Sequence, residues 1–251
     1  MVKSELFKNE LETIVNEDIR QFATQLLEDA PDYFFIVPAS STGKYHPAIS
    51  LGDGGLMRHT KAVVRFFNHI MAIEQNCSMF TDRQIDLGRV ACLIHDINKS
   101  GDAKTYEEKS DGGKKKVFTV PDHPLLAAKY VLSYDGKYLN NEELKYIALA
   151  VGSHMGQWNT DKNSSVVLPK PTTDMQKIVH LADYLASRKD IEVLFSQDEQ
   201  VCLPKLDEYV LKFGKHSGKT LPEIAKIDPS YITWAKENMT REPVKSLLAQ
   251  M

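Results

Sequence analysis

Six side chains of the types that hold divalent metal ions stand out because each falls near the end of a predicted helix: His59, His95, Asp96, His123, His154 and Asp183. Ions of intermediate softness accept such a mixture of imidazole nitrogen and carboxylate oxygen. A single histidine is more often a satisfied structural residue, but six together point to a metal centre. One catalytic ion needs only about three protein ligands, since it must keep positions open for water and substrate. Two ions about 3.5–4 Å apart fit six ligands better, with Asp96 placed to bridge them. Such a pair lowers the pKa of a shared water and neutralises charge building on phosphoryl oxygens, so the chemistry implied is phosphoester hydrolysis. Lys99, within one turn of the His95-Asp96 pair, reaches a phosphate as a point charge, and Arg188, one turn after Asp183, can do the same. His46, in the TGKYHP loop, is balanced between a substrate contact and a surface residue. Gln157 and Trp158 follow within four residues of His154, and Trp158 can either stack on a base or pack in the core.

Positioning these residues is work for helices. Leu6, Leu11, Ile14, Ile19, Phe22 and Leu26 recur at helical spacing, which predicts one amphipathic helix from about Lys3 to Glu28. The Pro-, Gly- and Ser-rich stretch that follows predicts loop with at most one short strand. Its STGK string is not a phosphate-binding loop, because Pro38 and Tyr45 stand where that motif needs Gly and Ser or Thr. Further helices are predicted from Gly54-Gly55, with His59 in the first turn, from about Thr81 to Asn98, from near Asp122 with His123-Pro124 in its first turn, from Asn141 to about His154, and from about Thr173 to Arg188, which carries His180 and Asp183. The apolar run Ala91–Ile94 delivers His95 and Asp96 side by side. KTYEEKSDGGKKKVFTV predicts a polar hairpin flap turning at Asp111-Gly112-Gly113, with Lys114, Lys115 and Lys116 as solvated loop residues. The loop from Gly156 to Thr173 is long enough to suggest a lid. His69 and His180 fall outside the ligand pattern, and His180 is expected in a supporting or packing role.

Hydrophobic content of 42 % and charged content of 26 % are those of an ordinary globular chain. A net charge of −3 gives no global positive field to draw the chain onto nucleic acid or an anionic membrane. Three cysteines without a CxxC pair argue against a disulfide framework or a zinc-thiolate site. A charged N-terminus without a signal-like core, and no apolar run of about 18 residues, predict a cytoplasmic chain with no membrane partner. Scarce strand signals predict an all-α main body over 1–196. A small α+β unit is expected over 205–251, built on a β-hairpin and short helices, in which Lys212, Lys215, His216 and Lys219 cluster. Tyr231 and Trp234 lie nearby in the sequence and are expected to form a small core more than a base-stacking platform.

The order His59, His95-Asp96, Asp183 resembles the HD-domain phosphohydrolase superfamily, and His123 and His154 match its dimetal branch. GGLMRHT, LIHDINK, SHMGQW and IVHLADYLASR are similar to the HD domain of bacterial 3′–5′ exoribonucleases, over about Gly54 to Arg188. Asn98 stands where that family usually has Gly, a departure expected to be tolerated. FGKHSGKTL and DPSYITWA resemble a short module found after some proofreading-type exonucleases. The resemblance implies an HD-domain helical bundle with two divalent ions (Mn, Fe, Ni, Co, Zn or Mg). His59, His95, Asp96 and Asp183 would hold one and Asp96, His123 and His154 the other. It implies a phosphodiesterase, with a single-stranded nucleic-acid 3′ end as the preferred substrate. Asp96 and Lys99 would do the catalytic work, and His46, Gln157, Trp158 and Arg188 would contact substrate. Hydrolysis of a free nucleotide or dinucleotide is the close rival, and a metal-binding regulatory module without turnover is the alternative of another class.

Overall fold

The computed structural model describes residues 2–40, 43–103, 119–162, 164–191, 206–207, 209–211, 213–239 and 244–251. The expected flap and its three lysines, and the segment 192–205, lie outside these residues. Among the described residues the architecture is all-α, with no sheet and only two isolated β-bridges.

The helix that organises the rest is α5, Asp82–Ile94. Thr81 and Gln84 cap it reciprocally, with Thr81 Oγ1 accepting from the Gln84 N–H and Gln84 Oε1 accepting from the Thr81 N–H. From Ile85 onward all but Arg89 is buried, a helix apolar enough on all sides to be enclosed by others. It packs against α2 (Glu17–Glu28), α3 (Gly55–Met71), α7 (Asn141–Gly152) and α8 (Asp174–Ala186), while α6 (His123–Leu132) lies along α7. Gly88 sits where α3 and α8 press on α5. A Cβ there would lie 2.5 Å from the Phe67 ring and 2.6 Å from Met175 Sδ, so only glycine allows the approach.

Two helix expectations are corrected. The N-terminal run is a 3₁₀ turn at Ser4–Phe7, α1 at Lys8–Glu12, and then a break before α2. Buried Asp86 on α5 accepts the free N–H groups of Val15 (3.3 Å) and Asn16 (2.8 Å), while Asn16 Oδ1 caps α2 through the Ile19 N–H (3.1 Å). The break therefore clips the N-terminal helices onto α5. At its other end α5 stops at Ile94, not Asn98. Residues 95–101 continue in tight turns, with Ile97 N–H on the Ile94 carbonyl, Lys99 N–H on that of Asp96 and Gly101 N–H on that of Asn98. Gly101 takes positive φ, but no non-glycine residue among the described ones does, so Asn98 stands in place of glycine without backbone strain.

The loop before α3 forms two short 3₁₀ turns, Asp32–Phe35 and Ala48–Ser50, instead of a strand. Arg58 on α3 ties it down by donating to the carbonyls of Ile49, Leu51 and Asp53. The loop after His154 is drawn together by the Thr160–Val167 bridge and by exchange between Asn159 and Leu168.

The described C-terminal residues form a second hydrophobic cluster of their own, with Leu211, Leu221, Ile224, Leu247 and Leu248 at its centre. It holds α9 (Leu221–Ile227), α10 (Pro229–Asn238) and α11 (Val244–Leu248). Among the described residues the expected β-hairpin is seen as one bridge, Val210–Thr220, with Leu211 N–H on the Lys219 carbonyl and Gly218 N–H on that of Leu211, and the chain turns at Gly214 and Gly218 in positive φ. Two of the clustered basic residues, buried His216 and exposed Lys215, are tied to one carboxylate: Lys215 Nζ (3.0 Å) and His216 Nε2 (2.9 Å) both donate to Asp228, which caps α10 through the Tyr231 N–H (3.1 Å) and accepts from the Ser230 hydroxyl (2.7 Å). Tyr231 packs against the second core, whereas Trp234 stays half-exposed.

The Ser230 hydroxyl, joined by Lys215 and His216, holds the Asp228 carboxyl well below the usual range. Its folded value is depressed, so the stabilisation operates above the unfolded value of about 4 and is lost as pH falls further, toward the folded value. Amide exchange at Tyr231 is therefore expected to accelerate below about pH 4, beyond the intrinsic rate, and to be fast at every pH in Asp228→Ala, which has no side-chain acceptor. Unchanged protection in that variant would contradict the capping role.

Candidate metal centre

The ends of α5, α6, α7 and α8 and the first turn of α3 meet at one buried point. His59 comes from α3, His95 and Asp96 from the turn ending α5, His123 from the start of α6, His154 from the turn after α7, and Asp183 from the last turn of α8. The four histidines and Asp96 are at most 2 % exposed. Two groups of donor atoms stand within 4.8 Å of one another, His59–His95–Asp96 and Asp96–His123–His154. Asp183 Oδ1 joins the first, 3.1 Å from His59 Nε2 and 3.7 Å from His95 Nε2. The two oxygens of Asp96 divide between the groups. Oδ1 faces His123 (3.1 Å) and His154 (3.6 Å), and Oδ2 faces His95 (3.5 Å) and His59 (3.9 Å).

Ring orientation is set locally. The Nδ1–H groups of His95, His123 and His154 each donate to the carbonyl three residues earlier, those of Cys92 (2.9 Å), Val120 (2.8 Å) and Val151 (2.7 Å). A carbonyl can only accept, so Nδ1 carries the proton and Nε2 turns its lone pair toward the centre. This is the outer support that metal-binding histidines require. His123 Nε2 and Asp96 Oδ1, though 3.1 Å apart, do not point at each other in hydrogen-bonding geometry, and both are buried without a hydrogen-bond partner. Two buried acceptors held side by side without a donor is an arrangement a cation satisfies. The donor set therefore fits divalent metal.

The electrostatics agree for His59, His123 and the two carboxylates, and His95 is the exception. Burial lowers His59 and His123, favouring their neutral, lone-pair-bearing forms. Burial opposes ionisation of Asp96, but the Lys99 ammonium and the His95 charge outweigh it and hold the carboxyl well below the usual range. Asp183 is likewise held low against burial by the His59 hydrogen bond and by His95. In His95 burial is outweighed in the other direction, by the Asp96 charge, and its value is raised.

This centre opens into a cavity of about 640 Å³. Lys99, itself buried, lines it and forms an ion pair with Asp96 Oδ2. His46 also lines it, its ring 5.5 Å from that of His59 and its Nε2 3.4 Å from the Ser187 hydroxyl; burial pushes it down to about 3, so it is neutral. Trp158 stands in the wall at 44 % exposure and stacks with Tyr184 (5.5 Å). Arg188 lies beside them. Gln157, by contrast, is exposed and does not line the cavity. His180 supports the site as expected, its Nδ1–H donating to the His154 carbonyl (2.7 Å) and its ring lying 6.0 Å from Trp158. Tyr45, Tyr184 and Ser187 were not anticipated. The signal available for the first two was their adjacency to His46 and Asp183 in the sequence.

A helical bundle that delivers paired imidazole and carboxylate donors from five chain segments to one cavity defines a metal-binding phosphohydrolase type of domain. The chain belongs to the HD domain family, which it matches over residues 56–188. Residues 211–239 match a second family, described as exodeoxyribonuclease X-like C-terminal. Neither curated proteins nor solved structures yield a match to the chain. None of the helices among the described residues is long and apolar enough to cross a membrane.

Proposed function

We propose that this protein is a divalent-metal-dependent phosphodiesterase that removes nucleotides from the 3′ end of single-stranded nucleic acid. The observation that carries the reading is Asp96, whose two oxygens face two different histidine pairs at the floor of a cavity of about 640 Å³. His59, His95, Asp96 and Asp183 would hold one ion and Asp96, His123 and His154 the other. Bound there, the ions would supply an activated water and charge neutralisation on the phosphoryl oxygens.

The chain's own residues supply the rest. Lys99 brings a cation to the edge of the donor cluster, placed to move from Asp96 onto a phosphoryl oxygen. The half-exposed Trp158 offers a ring face on which a base can stack whatever its identity. Neutral His46, with Ser187, can donate or accept a hydrogen bond at the sugar. The match of residues 211–239 to an exodeoxyribonuclease-like C-terminal family supports a nucleic-acid substrate and makes the second hydrophobic unit a candidate strand-binding module.

One observation favours a second reading, a nucleotide phosphohydrolase. Lys99 and Arg188 are the only Lys or Arg side chains among the described residues lining the cavity, which is less than a basic channel for a strand requires. The deciding experiment incubates the protein with Mn²⁺ and either a 5′-labelled single-stranded oligonucleotide or a panel of nucleotides. A ladder of progressively shorter products is expected. An intact oligonucleotide beside cleaved nucleotides would replace the first reading with the second.

A further inference from the structure

Arg188 is held unlike the other arginines with described ion pairs. Arg20, Arg83 and Arg89 each pair with a carboxylate, Glu17, Glu143 and Asp86 respectively. The Arg188 guanidinium instead lies over three aromatic rings, with its Cζ 4.5 Å from the centre of Tyr184, 5.5 Å from Tyr45 and 5.9 Å from Trp158. It shares the cavity with Asp96 and Asp183, yet it forms an ion pair with neither of them, nor with any other carboxylate among the described residues. Its Nε is buried and has no hydrogen-bond partner. The backbone fixes its root: Ser187 N–H closes on the Asp183 carbonyl (3.0 Å), Arg188 N–H on that of Leu185 (3.1 Å), and Lys189 N–H on that of Tyr45 (2.7 Å).

A guanidinium cannot shed its charge at any ordinary pH. Ring faces attract it without consuming its N–H groups, whose fork matches two phosphate oxygens. The rings therefore orient the fork and leave it open to an anion from the cavity. Lys99 stands against Asp96 at the metal donors, whereas Arg188 lies outside ion-pair distance of both carboxylates, so the two cations stand at different places in the cavity.

From this geometry we infer that Arg188 forms a separate subsite for a second, non-scissile phosphate, so that the protein selects substrates carrying two phosphates in succession. The inference rests on the reading of the site as one that acts on nucleic acid, where the second group is the phosphate one nucleotide upstream. Tyr45, Tyr184 and Trp158 act as positioning residues for the guanidinium.

The test measures binding in EDTA, where no turnover occurs, by isothermal titration calorimetry. The probes are thymidylyl-(3′→5′)-thymidine, which has one phosphate, and the same dinucleotide bearing a 5′-phosphate. The two differ only in the group assigned to Arg188, so interactions at the shared phosphate cancel in the ratio. Wild type is expected to bind the 5′-phosphorylated probe at least about tenfold more tightly, the scale of a bidentate charge-assisted contact. Arg188→Gln, whose planar amide still lies on the rings, and Arg188→Ala are both expected to reduce the ratio to about one. Equal affinities in wild type, no binding of the phosphorylated probe, or a preference that persists in the Gln variant would each overturn the inference. Absence of Mn²⁺-dependent oligonucleotide cleavage, with the binding preference intact, would instead remove the exonuclease reading and leave the subsite standing.

Discussion

Asp96→Asn is expected to lower phosphoester hydrolysis by about 10³-fold or more and to empty the centre of tightly bound metal. The amide keeps the shape of the carboxylate but carries no charge, and one of its two ends can no longer donate a lone pair. Since Oδ1 and Oδ2 face different histidine pairs, either orientation of the amide disables one group of donors. The same substitution removes the ion-pair partner of Lys99, which is itself buried, so a buried ammonium loses its counter-charge. Kinetics on the best wild-type substrate, together with metal content by mass spectrometry, check both effects, and circular dichroism shows whether the helices remain. A variant that kept its metal and more than a tenth of the activity would show that Asp96 does not join two sites.

Gly156→Ala is expected to cost about 2–4 kcal/mol of stability, the sum of a left-handed backbone penalty and a core overlap. Gly156 has φ of +58°, and a Cβ there would lie 2.2 Å from the His180 ring. Relief would require His180 to swing away. That would break its bond to the His154 carbonyl and disturb its packing beside Trp158 and Tyr184. The damage thus reaches a metal-donor segment and the cavity wall together. Urea denaturation measures the loss, and an unchanged midpoint would mean that neither the left-handed backbone nor the His180 ring resists the added Cβ. Gly156→Ala combined with His180→Ala should recover the steric part of the loss but not the backbone part.

The donors were legible in the sequence because each sits at a helix boundary, and helix boundaries carry strong local signals. Pro124 follows His123, Gly54-Gly55 precede the helix of His59, and capping residues open α5, α7 and α8. What escaped were features that depend on long-range contacts. The N-terminal periodicity predicts one helix, but Asp86, seventy residues away, accepts two backbone N–H groups and breaks it. The sequence shows a basic cluster in the C-terminal unit but not what it pairs with. Asp228 claims Lys215 and His216, a pairing that charge counting cannot foresee. Gln157 followed a donor segment in sequence yet points outside the cavity, while Tyr45 enters it from a loop whose course no periodicity describes.

His95, His123 and His154 each take their ring orientation from a carbonyl only three residues away. The angular part of the centre is thus written into short chain segments, and tertiary folding has only to set distances between them. A donor cluster built this way is stiff before any ion arrives, so little rearrangement accompanies loading and exchange of one ion for another leaves the scaffold unchanged. It also fails piecemeal: a defect in one helix displaces one donor and leaves the aim of the others intact.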